Sequence, residues 1–154
     1  MIVFTVCVEQ RIHVAAESVW ELIDDFGTLH RFNPLIEHSR ITNELPTGEG
    51  AEREVHLYDG SLMRQRIADY QPMRSMVIEV IDESPVLHHH LIEISVSPTS
   101  RSSCVLAYKV SFYSPRGPLG WPVGLVHKLL LRSRYRHVIR GIEQYIRRSS
   151  RNSR

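Results

Sequence analysis

Three consecutive imidazoles, His88-His89-His90, are the densest group of potential metal ligands in the chain. Their spacing argues against a metal, because neighbours on an extended strand point to opposite faces and only His88 and His90 can share one. Two imidazoles do not close a site. No Cys-x-x-Cys, His-Glu-x-x-His or acidic cluster supplies the missing ligands, so no metal is expected. A single imidazole still titrates near neutrality, which makes His90 the candidate general base if the chain performs chemistry. There is no Gly-x-Ser-x-Gly turn, P-loop or dinucleotide fingerprint, and the loop at Gly48 and Gly50 lacks the following helix that a phosphate cradle needs. No cofactor is expected. Cys7 and Cys104 fit neither a disulfide framework nor a metal spacing. Both are read as buried, inert thiols in a reducing, cytoplasmic setting.

Charge is divided unevenly along the chain. From Arg116 to Arg154 ten Lys/Arg stand against one acid, Glu143, whereas residues 1–115 hold nine against sixteen acids. A formal net charge of +2 therefore hides an acidic body and a basic C-terminal end. With 154 residues the chain suits one domain, 1–148, able to bury roughly 70% of its unfolded surface, followed by a Ser/Arg-rich tail, 149–154, expected to be disordered. The apolar run Ile2 to Val8 has no preceding Lys or Arg and no small-residue cleavage site, so it reads as a strand rather than a signal peptide. The run from Leu119 to Leu131 is interrupted by Pro122, His127 and Lys128 and falls short of the roughly 18 apolar residues a membrane-spanning helix needs.

The elements that position these side chains follow from periodicity. Residues 2–14 alternate, with Phe4, Val6, Val8, Ile12 and Val14 on one face. Val19, Trp20, Ile23 and Phe26 recur at helical spacing, and the pattern breaks at Gly27 and restarts at Thr28, a candidate cap for a second short helix ending at Asn33-Pro34. Six further strands are predicted: 35–43, 51–58, 61–70, 75–82, 88–96 and 104–113. Asp59-Gly60 between alternating runs marks a hairpin. Pro72-Met73, Ser84-Pro85 and the polar stretch 97–103 separate the later strands. From about Pro122 helix returns, with Leu131, Tyr135, Val138, Ile142 and Tyr145 in one stripe and Arg132, Arg136, Arg140 and Arg147 on the other side.

Val19-Trp20, Phe32-Asn33-Pro34, Gly48-Glu49-Gly50, Arg53-Glu54-Val55-His56-Leu57, Asp59-Gly60 and Gly141-Ile142 occur in an order that spans nearly the whole chain. The set resembles the START-related and birch-pollen-allergen superfamily (SRPBCC), in particular its polyketide cyclase/dehydrase and lipid-transport branch. The resemblance implies an α+β helix-grip fold: a seven-stranded antiparallel sheet curved around a long C-terminal helix, with two short helices between the first two strands. It also implies that the first and last strands are neighbours, which keeps Cys7 away from Cys104. Two departures stand out. An acidic residue common after the hairpin is Gln65 here, which would leave Arg53 without a carboxylate, and a common Trp of the last strand is Tyr108.

In such a fold the concave sheet face and the long helix enclose a cavity. The alternation then turns Arg53, Val55 and Leu57 inward, with Met63, Gln65 and Ile67, Ile78 and Val80, and His90, Ile92 and Ile94. Leu106, Tyr108, Val110 and Phe112 follow on the last strand, with Tyr135, Val138 and Ile142 facing them from the helix. A mainly apolar lining with a few polar groups suits a hydrophobic small molecule such as a lipid, quinone or polyketide, held and oriented through an oxygen. Arg53 either serves that role or reaches solvent at a strand edge. The leading expectation is binding or transfer without chemistry. An alternative is a cyclase/aromatase type of enzyme using Arg53, Gln65, His90 or Tyr108 to polarise a carbonyl and move a proton. A third reading, compatible with either, is contact with a membrane surface or a protein through residues 119–148. Nucleic acid is not an expected partner, because no aromatic platform interleaves the arginines.

Overall fold

The computed structural model describes residues 2–82, 88–114 and 117–154, and of His88 and His89 the backbone only. Strand β1 spans Ile2–Ile12, and helix α1 spans Ala16–Asp24. A 3-10 stretch, Phe26–Arg31, leads to β2 at Ile36–Ile41. Then follow β3 (Glu52–Leu57), β4 (Leu62–Gln71), β5 (Ser75–Val80), β6 (His88–Ser100), β7 (Ser103–Ser114) and helix α2 (Gly120–Asn152). The seven strands form one antiparallel sheet in the order β1-β7-β6-β5-β4-β3-β2. Consecutive strands pair through hairpins, and the chain crosses to the far edge only between β1 and β2. Register shifts in β2, β4 and β6 bend the ladder.

The register follows the alternation in the sequence. Phe4, Val6, Val8 and Ile12 of β1 are buried, as are Arg53 and Val55, Gln65 and Ile67, Met76 and Ile78, and Ile92, Ile94 and Val96. Cys104, Leu106, Tyr108, Val110 and Phe112 complete the face on β7. Because the side-chain period is two, a one-residue slip in any strand would expel that whole set to solvent. Cys104 is buried as expected, but Cys7 is exposed, since it sits between inward Val6 and Val8. The two sulfurs lie on opposite faces of paired strands, Cys7 across from Lys109 and Cys104 across from Ile12.

The segment between β1 and β2 differs in detail from its periodicity. α1 ends at Asp24, before Gly27, and the second helix is 3-10, kinked at Thr28. Thr28 donates its hydroxyl to the Asp25 carbonyl at 2.9 Å, so it closes the kink instead of accepting from a following helix. The polar stretch 97–103 also differs. β6 continues to Ser100 and β7 starts at Ser103, and the Thr99, Ser100 and Ser103 hydroxyls satisfy one another at 2.7 Å. At the chain end α2 runs on to Asn152, so residues 149–152 of the expected tail are helical.

Two glycines let α2 approach the rest of the domain. A Cβ at Gly124 would lie 2.2 Å from the Phe4 ring, and one at Gly141 would lie 2.3 Å from the Phe32 carbonyl oxygen. Between them Leu131, Val138, Ile139 and Ile142 pack into the core. Gly141 faces backbone that cannot swing aside. Gly141→Ala is therefore expected to lower stability by roughly 1–3 kcal/mol, although alanine is the better helix former by about 1 kcal/mol. Urea unfolding of the variant checks this, with Arg140→Ala on the exposed side expected to be near neutral.

Candidate functional site

A partly enclosed cavity of about 110 Å³ lies between the concave sheet face and α2. β3 contributes Arg53, Val55 and Leu57, β4 Met63 and Gln65, and β5 Met76, Ile78 and Val80. From β6 come His90, Ile92 and Ile94, and from β7 Tyr108 and Val110. The helix supplies His127, Leu131, Arg134, Tyr135 and Val138. Of the residues predicted to face a ligand, Ile67, Phe112 and Ile142 do not line this space. They are buried at 1%, 0% and 0% exposure in the packed core around it. Leu106, also read as inward, belongs to the same core. The side chains of His88 and His89 lie outside the described residues.

Several lining residues escaped the sequence reading. Ile23, Leu29, Phe32, Asn33, Leu35 and Ile36 wall off the end of the cavity beneath the turn from α1 to β2. Nothing in their local pattern separates a cavity wall from ordinary core. His127 and Arg134 were more accessible to inference. The stripe Leu131, Tyr135, Val138, Ile142 extends one turn backwards to His127, but the apolar content of 119–131 drew that segment toward the surface reading.

The polar groups form two clusters. In the deeper one Arg53 is 5% exposed, donates from Nε to Gln65 Oε1 at 2.8 Å and from Nη1 to the Phe26 carbonyl at 3.0 Å, and lies 4.0 Å above the Phe26 ring centroid. These contacts satisfy part of the guanidinium fork and supply a cation–π contact, but none neutralises the charge. Arg53 makes no ion pair among the described residues. Burial pulls its pKa down to about 9, which still leaves it protonated at neutral pH. The Tyr108 and Tyr135 rings meet beside it at 5.0 Å, and neither hydroxyl has a hydrogen-bond partner among the described residues. Burial raises both phenols, Tyr135 to about 12, so both are protonated donors at neutral pH. Arg53 is therefore buried beside Gln65 and does not reach solvent at a strand edge.

The second cluster lies about 12 Å further along the helix axis, eight residues at 1.5 Å each from Tyr135 to His127. His127 and His90 face each other at 5.6 Å between ring centroids, and both pack on Phe112. The Nε2 atom of each is buried without a hydrogen-bond partner. Burial, followed by the neighbouring His127, lowers His90 to about 4, and burial lowers His127 as well. Both imidazoles are neutral at pH 7. Arg134, next to Tyr135 on the helix, lines the cavity while exposed to solvent. Among the described residues no group of three or more His, Cys, Asp or Glu could hold a metal ion.

A curved antiparallel sheet gripping one long helix over an internal cavity defines the helix-grip class of proteins. The family described as polyketide cyclase/dehydrase and lipid transport matches residues 3–147, and the chain belongs to it. Solved structures of the same fold include the Zhui aromatase/cyclase from Streptomyces sp. R1128, at 15% identity and a TM-score of 0.80 over 96% of this chain and 95% of that one. A norcoclaurine synthase from Thalictrum flavum, in complex with dopamine and hydroxybenzaldehyde, matches at 15% identity and a TM-score of 0.72, over 94% and 87% of the two chains. A START superfamily protein from Mycobacterium smegmatis matches at 13% identity and 0.74, over 94% and 97%. At these identities the likeness is one of fold. No curated protein matches the chain.

The half-buried His90 makes stability depend on pH with a definite sign. His90 titrates near 6.5 in the unfolded chain and about 4 in the fold, so between these values the unfolded state binds more protons. Its contribution is complete above pH 6.5 and is lost as pH falls toward 4, by up to roughly 3 kcal/mol. Urea unfolding midpoints taken across that window should fall less steeply for His90→Phe than for the native chain. Parallel slopes would place His90 in water.

Proposed function

We propose that the protein binds one small hydrophobic molecule carrying an acidic oxygen, with that oxygen turned toward Arg53, Tyr108 and Tyr135. The observation that carries this reading is Arg53 itself, a buried cation with no carboxylate partner among the described residues. An isolated charge in an apolar site is costly, and an anionic ligand group is the partner that would offset the cost. The two phenol hydroxyls are free to donate to the same oxygen. Size narrows the ligand class, since cavities of about 150 Å³ hold a benzene ring. At about 110 Å³ the space is smaller than that, so a single ring or a short acyl segment enters with small shifts of lining side chains, and a larger polyketide, quinone or lipid would have to displace them.

Binding and transfer is the reading preferred over catalysis, because no Asp or Glu among the described residues lines the cavity to act as a base. One observation favours the second reading, an enzyme of the cyclase or dehydratase kind. The neutral imidazoles of His90 and His127 each keep Nε2 unengaged at the cavity, where either could take a proton from a carbon activated by a neighbouring carbonyl.

Native mass spectrometry of protein purified from its own host, with organic extraction, tests the reading. A bound acidic aromatic or acyl compound is expected, lost in Val138→Trp, which fills the cavity, and retained at least about tenfold less well by Arg53→Met. A natively folded protein that holds no hydrophobic compound, and also excludes small aromatic acids added to it, would overturn the proposal. Change of the extracted compound on incubation with fresh protein, abolished in His90→Phe, would select the catalytic reading.

A further inference from the structure

The first turns of α2 are unlike its remainder. Gly124, Leu131, Val138 and Ile142 identify the side that faces the core. On the opposite side Leu125, Val126, Leu129 and Leu130 are 37%, 57%, 58% and 62% exposed, with Leu119 and Trp121 at 74% and 58%. Single exposed apolar residues are ordinary, but six within one short acid-free segment form a patch that calls for a partner. The outward side then changes character without changing direction. Steps of three or four residues lead from Leu125 and Leu129 to Arg132, Arg136 and Arg140, all exposed and without an ion pair among the described residues.

We propose that this side of α2 is a docking face for an anionic lipid bilayer. Leu125, Val126, Leu129 and Trp121 would enter the boundary between headgroups and acyl chains, while Arg132, Arg136 and Arg140 meet lipid phosphates. Charge complementarity selects this occupant, since residues 116–154 carry ten Lys/Arg and only Glu143 in opposition. A second copy of the chain would cover the leucines with the same helix and leave the arginine row without counter-charge. A bilayer surface meets both halves of the strip in one plane.

His127, Leu131 and Arg134 line the cavity from the other side of the same helix. Tyr58 and Leu62, 70% and 48% exposed, stand on the neighbouring β3–β4 hairpin. The Asp59 carboxyl at its tip is held below the usual range first by Ser61 hydrogen bonds and further by the Arg134 charge. The docking surface does not depend on what the cavity holds.

Sedimentation of the full chain with vesicles of phosphatidylcholine, and of phosphatidylcholine with an equal part of phosphatidylglycerol, tests the proposal. Trp20 is 4% exposed, so a shift of tryptophan emission reports Trp121. Binding and a blue shift are expected with anionic vesicles. The affinity should fall by about thirtyfold or more in Arg132→Glu with Arg136→Glu, and fall as salt rises. Leu125→Asp with Leu129→Asp should abolish the shift, and all four positions are exposed, so the fold is retained and circular dichroism verifies it. Absence of binding to anionic vesicles, or equal binding to neutral ones, overturns the proposal. A dimer in sedimentation velocity that the Leu125/Leu129 variant splits also overturns it, in favour of a second copy on this face.

Discussion

Helix α2 is held against the domain at two glycines, and the space between them is what the fold encloses. Gly124 lies under the Phe4 ring and Gly141 under the Phe32 carbonyl, so neither position can carry even a methyl group without displacing its neighbour. The two contacts are about 25 Å apart along the helix, seventeen residues at 1.5 Å each. Over that span the helix bridges the concave face of the sheet, and His127, Leu131, Tyr135 and Val138 fill the interval incompletely. The cavity is thus a consequence of where close approach is possible. The same constraint fixes which polar groups face each other, since the helix cannot slide without driving backbone into Gly141.

Within that frame the chemistry follows from low polarity. Arg53 keeps its proton in an apolar surround because its N–H groups reach Gln65 and the Phe26 carbonyl, while its charge is left unopposed. The same surround keeps the tyrosines protonated and the histidines neutral. At neutral pH the interior of the cavity therefore offers one buried cation, two hydroxyl donors and two neutral imidazoles, arranged as two ends of an apolar space. A carboxylate at position 65, the residue type suggested by the family resemblance, would cancel the first of these and leave a neutral site.

The strands and their inward faces were legible because a one-residue slip in a half-buried sheet exposes a whole side-chain set, so alternation records orientation. Arg53, Gln65 and Tyr108 could be placed in this way. Ile67, Phe112 and Ile142 were placed on the right face but not at the cavity, since alternation separates inside from outside and does not separate core from void. The break near Gly27 was misplaced because the glycine is there for close contact with Ile41, its Cβ position being 3.0 Å from that side chain, and not to end a helix. Cys7 reads as a core thiol on residue type, although its position between Val6 and Val8 points it outward. His127 was hidden by its own apolar neighbours.

The central claim is that an unopposed buried arginine sets what the cavity accepts. A matched pair of ligands isolates that effect: 4-methylbenzoate and 4-methylbenzamide share a shape and differ in charge. Calorimetric titration of both into the native chain and into Gln65→Glu is the most direct measurement. The account predicts that the native chain binds the carboxylate at least about tenfold more tightly than the amide, and that the preference disappears in Gln65→Glu, where the introduced carboxylate neutralises Arg53. Equal affinity of the two ligands for the native chain, or a preference that survives Gln65→Glu, would contradict it.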